Sequence, residues 1–197
     1  WCVLESDESD GSFIKVPPTY SVVTNIDREH MDYYKSMEKL KNHFIEFINK
    51  VPSFGKSFIC KDDKVNNQII KKIKTKNFFT YGTDKDSNFV IKNIRQSKNI
   101  SIFDVIISLP GKKKITLKNI NIPLLGLHNI RNATAAVAVA FTIGISNKII
   151  KNSLIKFQGV QRRFNKIFNY RGVSFFDDYA HHPTEIKELI NGVHEVY

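Results

Sequence analysis

An α/β fold built on a mostly parallel sheet is what the amino-acid sequence predicts, and three observations predict it. Short β-branched or aromatic runs alternate with helical apolar stripes through the first third of the chain. Polar clusters follow the first two of those runs, where ligands gather in open parallel sheets. Hydrophobic residues are 42% and charged residues 25% of 197, a composition that buries a core and excludes disordered and fibrous classes.

Taken in order, residues 1–4 are an apolar run that reads as mid-strand and ends in the acidic cluster Glu5-Ser6-Asp7-Glu8-Ser9-Asp10. A chain opening inside a strand reads as part of a longer protein. Residues 20–24 are a second strand, leading into Asn25-Ile26-Asp27-Arg28-Glu29-His30. Over 35–51, Met37, Leu40, Phe44, Ile48 and Val51 form the stripe of an amphipathic helix. Residues 56–60 read as a strand and 65–74 as a helix with Ile69, Ile70 and Ile73 inward. Residues 77–81, 88–94, 101–108 and 113–120 are β-rich with Gly, Asp and Asn at their joints, which predicts a small antiparallel insert or edge sheet. An Ala-rich helix follows at 129–143, ended by Gly144. Ser146 caps a shorter helix to about 157. Residues 164–170 and 173–176 form a hairpin around Arg171-Gly172, and Pro183 opens a helix running to the end. The composition shift near residue 160 marks the domain boundary.

Lys and Arg number 30 against 19 Asp and Glu, a formal charge of +11 and a pI near 9.6. That balance raises nucleic acid as a partner. Only 6 of the 30 basic residues are Arg, and the lysines are scattered among Ile and Asn. Bidentate phosphate and base contacts favour Arg, so a basic RNA- or polyanion-binding module is the remote alternative and no nucleic-acid partner is expected. Cys2 and Cys60 have neither metal spacing nor a disulfide framework, which suits a reducing compartment and a cytoplasmic location. No apolar run approaches a membrane span and no signal peptide is present, so no membrane insertion is expected.

Several residues are placed for chemistry. If the first two strands are parallel neighbours, Glu5 and His30 share the sheet's carboxyl edge, where a carboxylate and an imidazole suit Mg²⁺ or Mn²⁺ beside a phosphate. The competing reading is a solvated acidic loop and an ordinary surface histidine. Asn129 and Asn132, three apart at a helix start, can both face an adenine edge, or Asn129 can simply cap the helix. Arg162 and Arg163 at the domain joint either reach phosphates or form a solvated pair. Adjacent His181 and His182 do not suit one metal ion, which leaves structural or substrate-contact roles. No complete GxxxxGK[ST] loop occurs; Gly55-Lys56-Ser57 is only its tail, with Lys50 where the first glycine belongs.

Five clusters in order carry a resemblance: Glu5 to Phe13, Val23 to Asp32 with Glu29-His30-Met31-Asp32, Gly126 to Ala133 with His128 to Asn132, Gly159 to Phe164, and Asp177-Asp178-Tyr179-Ala180-His181-His182-Pro183-Thr184-Glu185. The chain resembles the Mur ligase family, and the last cluster resembles its alanine-adding branch. The resemblance implies a Rossmann-like, P-loop-type sheet lacking its phosphate loop. Residues 1–162 would belong to the central ATP-binding domain and 163–197 to the start of the C-terminal domain. It implies an ATP-dependent ligase that phosphorylates the lactyl carboxylate of UDP-N-acetylmuramate. The amine of L-alanine then attacks, giving an amide, ADP and phosphate in cell-wall precursor synthesis. Without a phosphate loop the isolated piece is expected to be inactive. The related ligase that recycles murein peptide is the alternative within the family.

Residue roles follow from the same resemblance. Glu5 and His30 would each hold a Mg²⁺, near the γ-phosphate and the substrate carboxylate respectively. Asn129, Asn132 and Tyr179 would lie at adenine, Asp178 at ribose and the catalytic Arg163 near the nucleotide. His128, Arg162 and His181 would face the substrate. Glu29 stands where the family usually has Asp, and His43 where several relatives carry a carbamylated lysine.

Overall fold

The structure is a computed structural model that describes residues 1–97, 100–160 and 165–194, without the side chains of Asn165 and Glu188. Six strands form one sheet in the order β1 (Tyr20–Val23), β2 (Lys56–Cys60), β3 (Phe78–Gly82), β4 (Phe89–Ser97), β5 (Ile100–Ile107) and β6 (Ile115–Ile122). The chain divides into two compact units, Trp1–Val90 with Ile107–Lys114, and Ile91–Ile106 with Ile115–Tyr197.

In the first unit β1, β2 and β3 run parallel, with Tyr20 opposite Lys56 and Ser57 opposite Phe78. The crossovers carry α1 (Met31–Tyr34), α2 (Met37–Asn49) and α3 (Lys64–Ile70). Leu40 and Ile48, two turns apart on α2, are fully buried with Val23, Ile26, Tyr34, Ile59 and Ile69. That cluster is the predicted stripe meeting the predicted strands. Ser36 caps α2 by accepting from the Lys39 N–H, and Asp63 caps α3 by accepting from Asn66 N–H at 2.7 Å. Burial pushes the Asp63 carboxyl above its ordinary value, against the pull of that hydrogen bond. The buried Asn66 amide donates to the carbonyls of Thr24 (3.2 Å) and Cys60 (2.9 Å), tying together the chain just beyond β1 and the end of β2. Asp62 accepts from the Thr83 and Asp84 N–H groups, and a Cβ on Gly82 (φ 144°) would come within 2.5 Å of its Oδ1.

Two expectations are corrected here. Residues 1–4 are irregular rather than a strand, with Trp1 90% and Val3 96% exposed. An apolar run becomes a strand only where a neighbour completes its ladder, and β1 is the outer strand of the sheet. Residues 77–81 are not part of an antiparallel insert, because β3 pairs parallel with β2 over four positions. The β3–β4 pair is also parallel, through Tyr81–Phe89 and Gly82–Val90. A parallel pair usually needs a long crossover, but here β4 starts at Phe89 opposite Tyr81, so the connection from Gly82 returns by only one residue's rise.

The antiparallel part begins at β4. Ser108 N–H donates to the Asn88 carbonyl at 2.8 Å, and the Asn93 amide reaches Asp104 at 2.7 Å, so β5 returns along β4. In the second unit, Asn119 N–H donates to Asp104 (2.7 Å) and the Ser101 hydroxyl to the Leu124 carbonyl (2.6 Å), so β6 returns along β5. Asp104 is 8% exposed; burial raises its carboxyl, but the Asn93 and Asn119 hydrogen bonds together with the Arg95 and Lys118 charges hold the group below its usual range. Helix α4 (Leu127–Thr142) buries Ile130, Thr134, Ala135, Val137 and Ala138, and Gly144 (φ 88°) follows its end. Ser146 caps α5 (Asn147–Ile155) through the Ile149 N–H. The hairpin β7 (Asn165–Tyr170) and β8 (Val173–Asp177) turns at Arg171-Gly172, and α6 (Pro183–His194) follows.

Candidate active-site residues

The acidic segment folds on itself before it meets anything else. Asp7 accepts from the backbone and hydroxyl of Ser9 (2.9 and 2.6 Å), and Asp10 accepts from the Ser12 N–H (2.8 Å). These serine hydrogen bonds hold both carboxyls below their ordinary range. Gly11 (φ 69°) turns the chain back, its N–H donating to the Glu8 carbonyl at 3.0 Å. A Cβ on Gly11 would lie 2.6 Å from the Tyr33 hydroxyl, so only glycine fits that return.

His30 is seven positions past the last residue of β1 and takes a left-handed conformation (φ 53°) at the start of α1. Its carbonyl accepts from the N–H groups of Tyr33 and Tyr34, both at 3.0 Å. Its Nε2 lies 3.7 Å from Oε2 of Glu29. Ligand atoms of Glu8, Glu29 and His30 all lie within 4.8 Å of one another. Two carboxylates and an imidazole are hard and borderline donors that fit Mg²⁺ or Mn²⁺. The fully buried Tyr34 donates its hydroxyl to the Glu8 carbonyl. Burial, then the Glu8 charge, pushes its phenol up to about 12. His43 packs edge-on against the Tyr34 ring at 5.3 Å and its Nδ1 lies 2.9 Å from the Lys39 carbonyl.

Glu5 is exposed and is not one of the three residues gathered at His30. The expected pairing of Glu5 and His30 across two adjacent strand ends is corrected, because residues 1–4, directly before Glu5, are irregular in this structure. Glu8 is the carboxylate that sequence reasoning missed. Its signal was Gly11 three residues on, which folds the segment back beside the helix after His30.

In the second unit Gly126, rather than Asn129, occupies the N-cap of α4. The Gly126 N–H donates to Gln96 Oε1 (2.7 Å), and the Asn129 amide donates to the Leu125 carbonyl (2.7 Å), closing the turn into the helix. His128 and Asn129 are half-buried and Asn132 is exposed on the same helix start. Asp178 accepts from the Ala180 N–H at 2.7 Å. Tyr179 and His181 touch edge to face at 5.1 Å, and His181 Nδ1 is 3.6 Å from Glu185. Glu185 also accepts from the N–H groups of His181 and His182 (3.2 and 3.4 Å), as in the reaching-back half of a capping box. The His182 backbone therefore sits in a structural role at the start of α6. Arg162 and Arg163 lie outside the described residues.

The profile of the Mur ligase middle domain matches residues 2–140. The chain belongs to the Mur ligase family. It is 68% identical over all 197 residues to the UDP-N-acetylmuramate–L-alanine ligase of Pelagibacter ubique, of which it spans 42%. It is 42% identical over 196 residues to that of Bartonella quintana, spanning 41%. This Mur ligase chain therefore spans about two fifths of the length of the curated relatives it matches. The solved UDP-N-acetylmuramate–alanine ligase of Thermotoga maritima superposes with a TM-score of 0.74 at 23% identity, covering 96% of this chain and 41% of that one. A murein peptide ligase from Psychrobacter arcticus gives 0.66 at 24% identity, covering 93% and 36%. At those identities the likeness speaks for the fold. No helix among the described residues is long and apolar enough to cross a membrane.

Proposed function

We propose that this chain is part of an ATP-dependent, cytoplasmic ligase that joins L-alanine to the lactyl carboxylate of UDP-N-acetylmuramate in peptidoglycan precursor synthesis. The observation that carries the reading is 68% identity over the whole chain to a relative named for that reaction. The recycling of murein peptide is the weaker reading, since the likeness to such a ligase is one of fold. Residues 1–162 belong, on this reading, to the ATP-binding domain and 163–197 to the domain after it.

His30, Glu8 and Glu29 would hold one Mg²⁺ or Mn²⁺, and Glu5 a second, as the family resemblance implies. When bound there, such ions would supply positive charge for the carboxylate and phosphate oxygens brought together. Glu8 and Glu29 contribute negative charge that draws the cation. Asn129 and Asn132 offer amide groups to the adenine edge, with Tyr179 beside it. Asp178 accepts from a ribose hydroxyl. Arg163 counters phosphate charge, and His128, Arg162 and His181 face the sugar-nucleotide substrate.

A chimera tests this reading. The 197 residues replace the matching segment of the Pelagibacter ubique enzyme, and phosphate release is followed with UDP-N-acetylmuramate and either L-alanine or murein tripeptide. Release that requires L-alanine is expected. A chimera that melts cooperatively yet accepts only the tripeptide, or neither substrate, overturns it.

A further inference from the structure

Tyr34 joins the two halves of the carboxylate–histidine cluster. Its N–H donates to the His30 carbonyl at 3.0 Å and its hydroxyl donates to the Glu8 carbonyl. That Glu8 carbonyl also accepts from Gly11 N–H, so it is the junction on which the acidic loop hangs. The ring of Tyr34 is 0% exposed and packs with Val23, Ile26, Leu40 and Ile48. A phenylalanine ring would fill the same space, so the core needs the ring and not the hydroxyl.

We propose that Tyr34 is a positioning residue for a divalent cation: its hydroxyl fixes the Glu8 backbone and so holds the Glu8 carboxylate beside His30 and Glu29. This rests on the reading of that cluster as a cation site. Glu8 lies on a loop whose other hydrogen bonds, from Ser9 and Ser12 to Asp7 and Asp10, are local, and whose far end is anchored by Phe13, buried against Phe44 and Phe47 of α2 rather than on α1. Local turns shape such a loop but do not anchor it to the helix that carries His30. The Tyr34 hydroxyl spans 26 residues of sequence to do so.

The test is Mn²⁺ binding to the chain, read from the free-ion paramagnetic resonance signal, for wild type, His30→Ala, Glu8→Gln, Tyr34→Phe and the Glu8→Gln/Tyr34→Phe pair. Tyr34→Phe is expected to weaken binding by about tenfold or more, the usual effect of losing a partner behind a ligand. It should add nothing in the Glu8→Gln background, because the carboxylate it positions is gone. A purely structural tyrosine would instead lower the melting temperature alike in both backgrounds and leave binding unchanged. Gly11→Ala, which disturbs the loop from the other side of the Glu8 carbonyl, should weaken Mn²⁺ binding too and keeps the test open should Tyr34→Phe not fold. If Glu8→Gln and His30→Ala weaken binding while Tyr34→Phe and Gly11→Ala do not, the positioning role is overturned and the cation site stands. If His30→Ala and Glu8→Gln bind as wild type does, the cation reading falls and the proposal with it.

Discussion

Replacing His30 separates metal chemistry from packing, provided the backbone is respected. The side chain is 37% exposed and its nearest ionic partner is Glu29 at 3.7 Å, so the imidazole itself adds at most about 0.5 kcal/mol of stability, as at surface sites generally. The backbone conformation weighs more. A left-handed residue costs roughly 1–2 kcal/mol for most L-amino acids, whereas Asn tolerates it. His30→Asn should therefore melt within a degree or two of the parent, and His30→Ala several degrees lower. Loss of a preorganised electrostatic stabiliser typically lowers turnover by about 10²–10³, or roughly 2.7–4 kcal/mol. In the chimera both variants should lose turnover to that extent, and excess Mn²⁺ should restore part of it. The assays are the thermal midpoint and single-turnover formation of the acyl phosphate on the same preparations. If His30→Asn phosphorylates substrate at the parent rate, the histidine is there for its backbone and its metal role is refuted.

Asp104→Asn should cost about 1–3 kcal/mol, since two donors lose a charged acceptor. Because the folded carboxyl is held low, its contribution is present above the ordinary carboxylate range and lost as pH falls through the depressed value. Urea melts of parent and variant should therefore converge in acid, and a constant gap from pH 7 to below pH 3 would contradict this. Ser146→Ala removes the cap of α5 and should cost about 1 kcal/mol by denaturant midpoint, with no effect on Mn²⁺ binding. Asn132→Ala, at an exposed position on α4, should leave the melt unchanged and weaken ATP binding to the chimera in calorimetry; unchanged ATP affinity would remove Asn132 from the adenine site.

The parts of the fold legible in the sequence were those governed by local periodicity and caps. Leu40 and Ile48 announced α2, Ser146 announced α5, and Gly144 announced the end of α4. The side a strand pairs on is not written in its own residues. Residues 77–81 therefore read as part of an antiparallel insert, although Phe78–Gly82 lies parallel against β2. Residues 1–4 failed for a related reason, since a strand is a relation between two segments and an apolar run describes only one. At the candidate site, His30 was visible because it follows a strand. Glu8 was not distinguishable from Glu5, because both stand in one acidic run and only the turn at Gly11 decides which reaches the histidine. His181 and His182 looked alike in sequence and differ in surroundings, His181 being exposed beside Tyr179 and His182 half-buried at the helix start.

The bridge made by Asn66 sets how the end of the parallel sheet opens in time. One amide holds the carbonyls of Thr24 and Cys60, and the same residue's N–H is committed to the Asp63 cap. The chain beyond β1, the end of β2 and the first turn of α3 therefore cannot fray one at a time. Amide protons there should exchange together, through a single opening larger than the fraying of any strand end alone. Residues 24–30, which lead from that bridge to His30, thus start from a point that opens only with the whole sheet end, while the acidic loop that supplies Glu8 is held separately, by the Tyr34 hydroxyl and by Phe13 buried against Phe44 and Phe47.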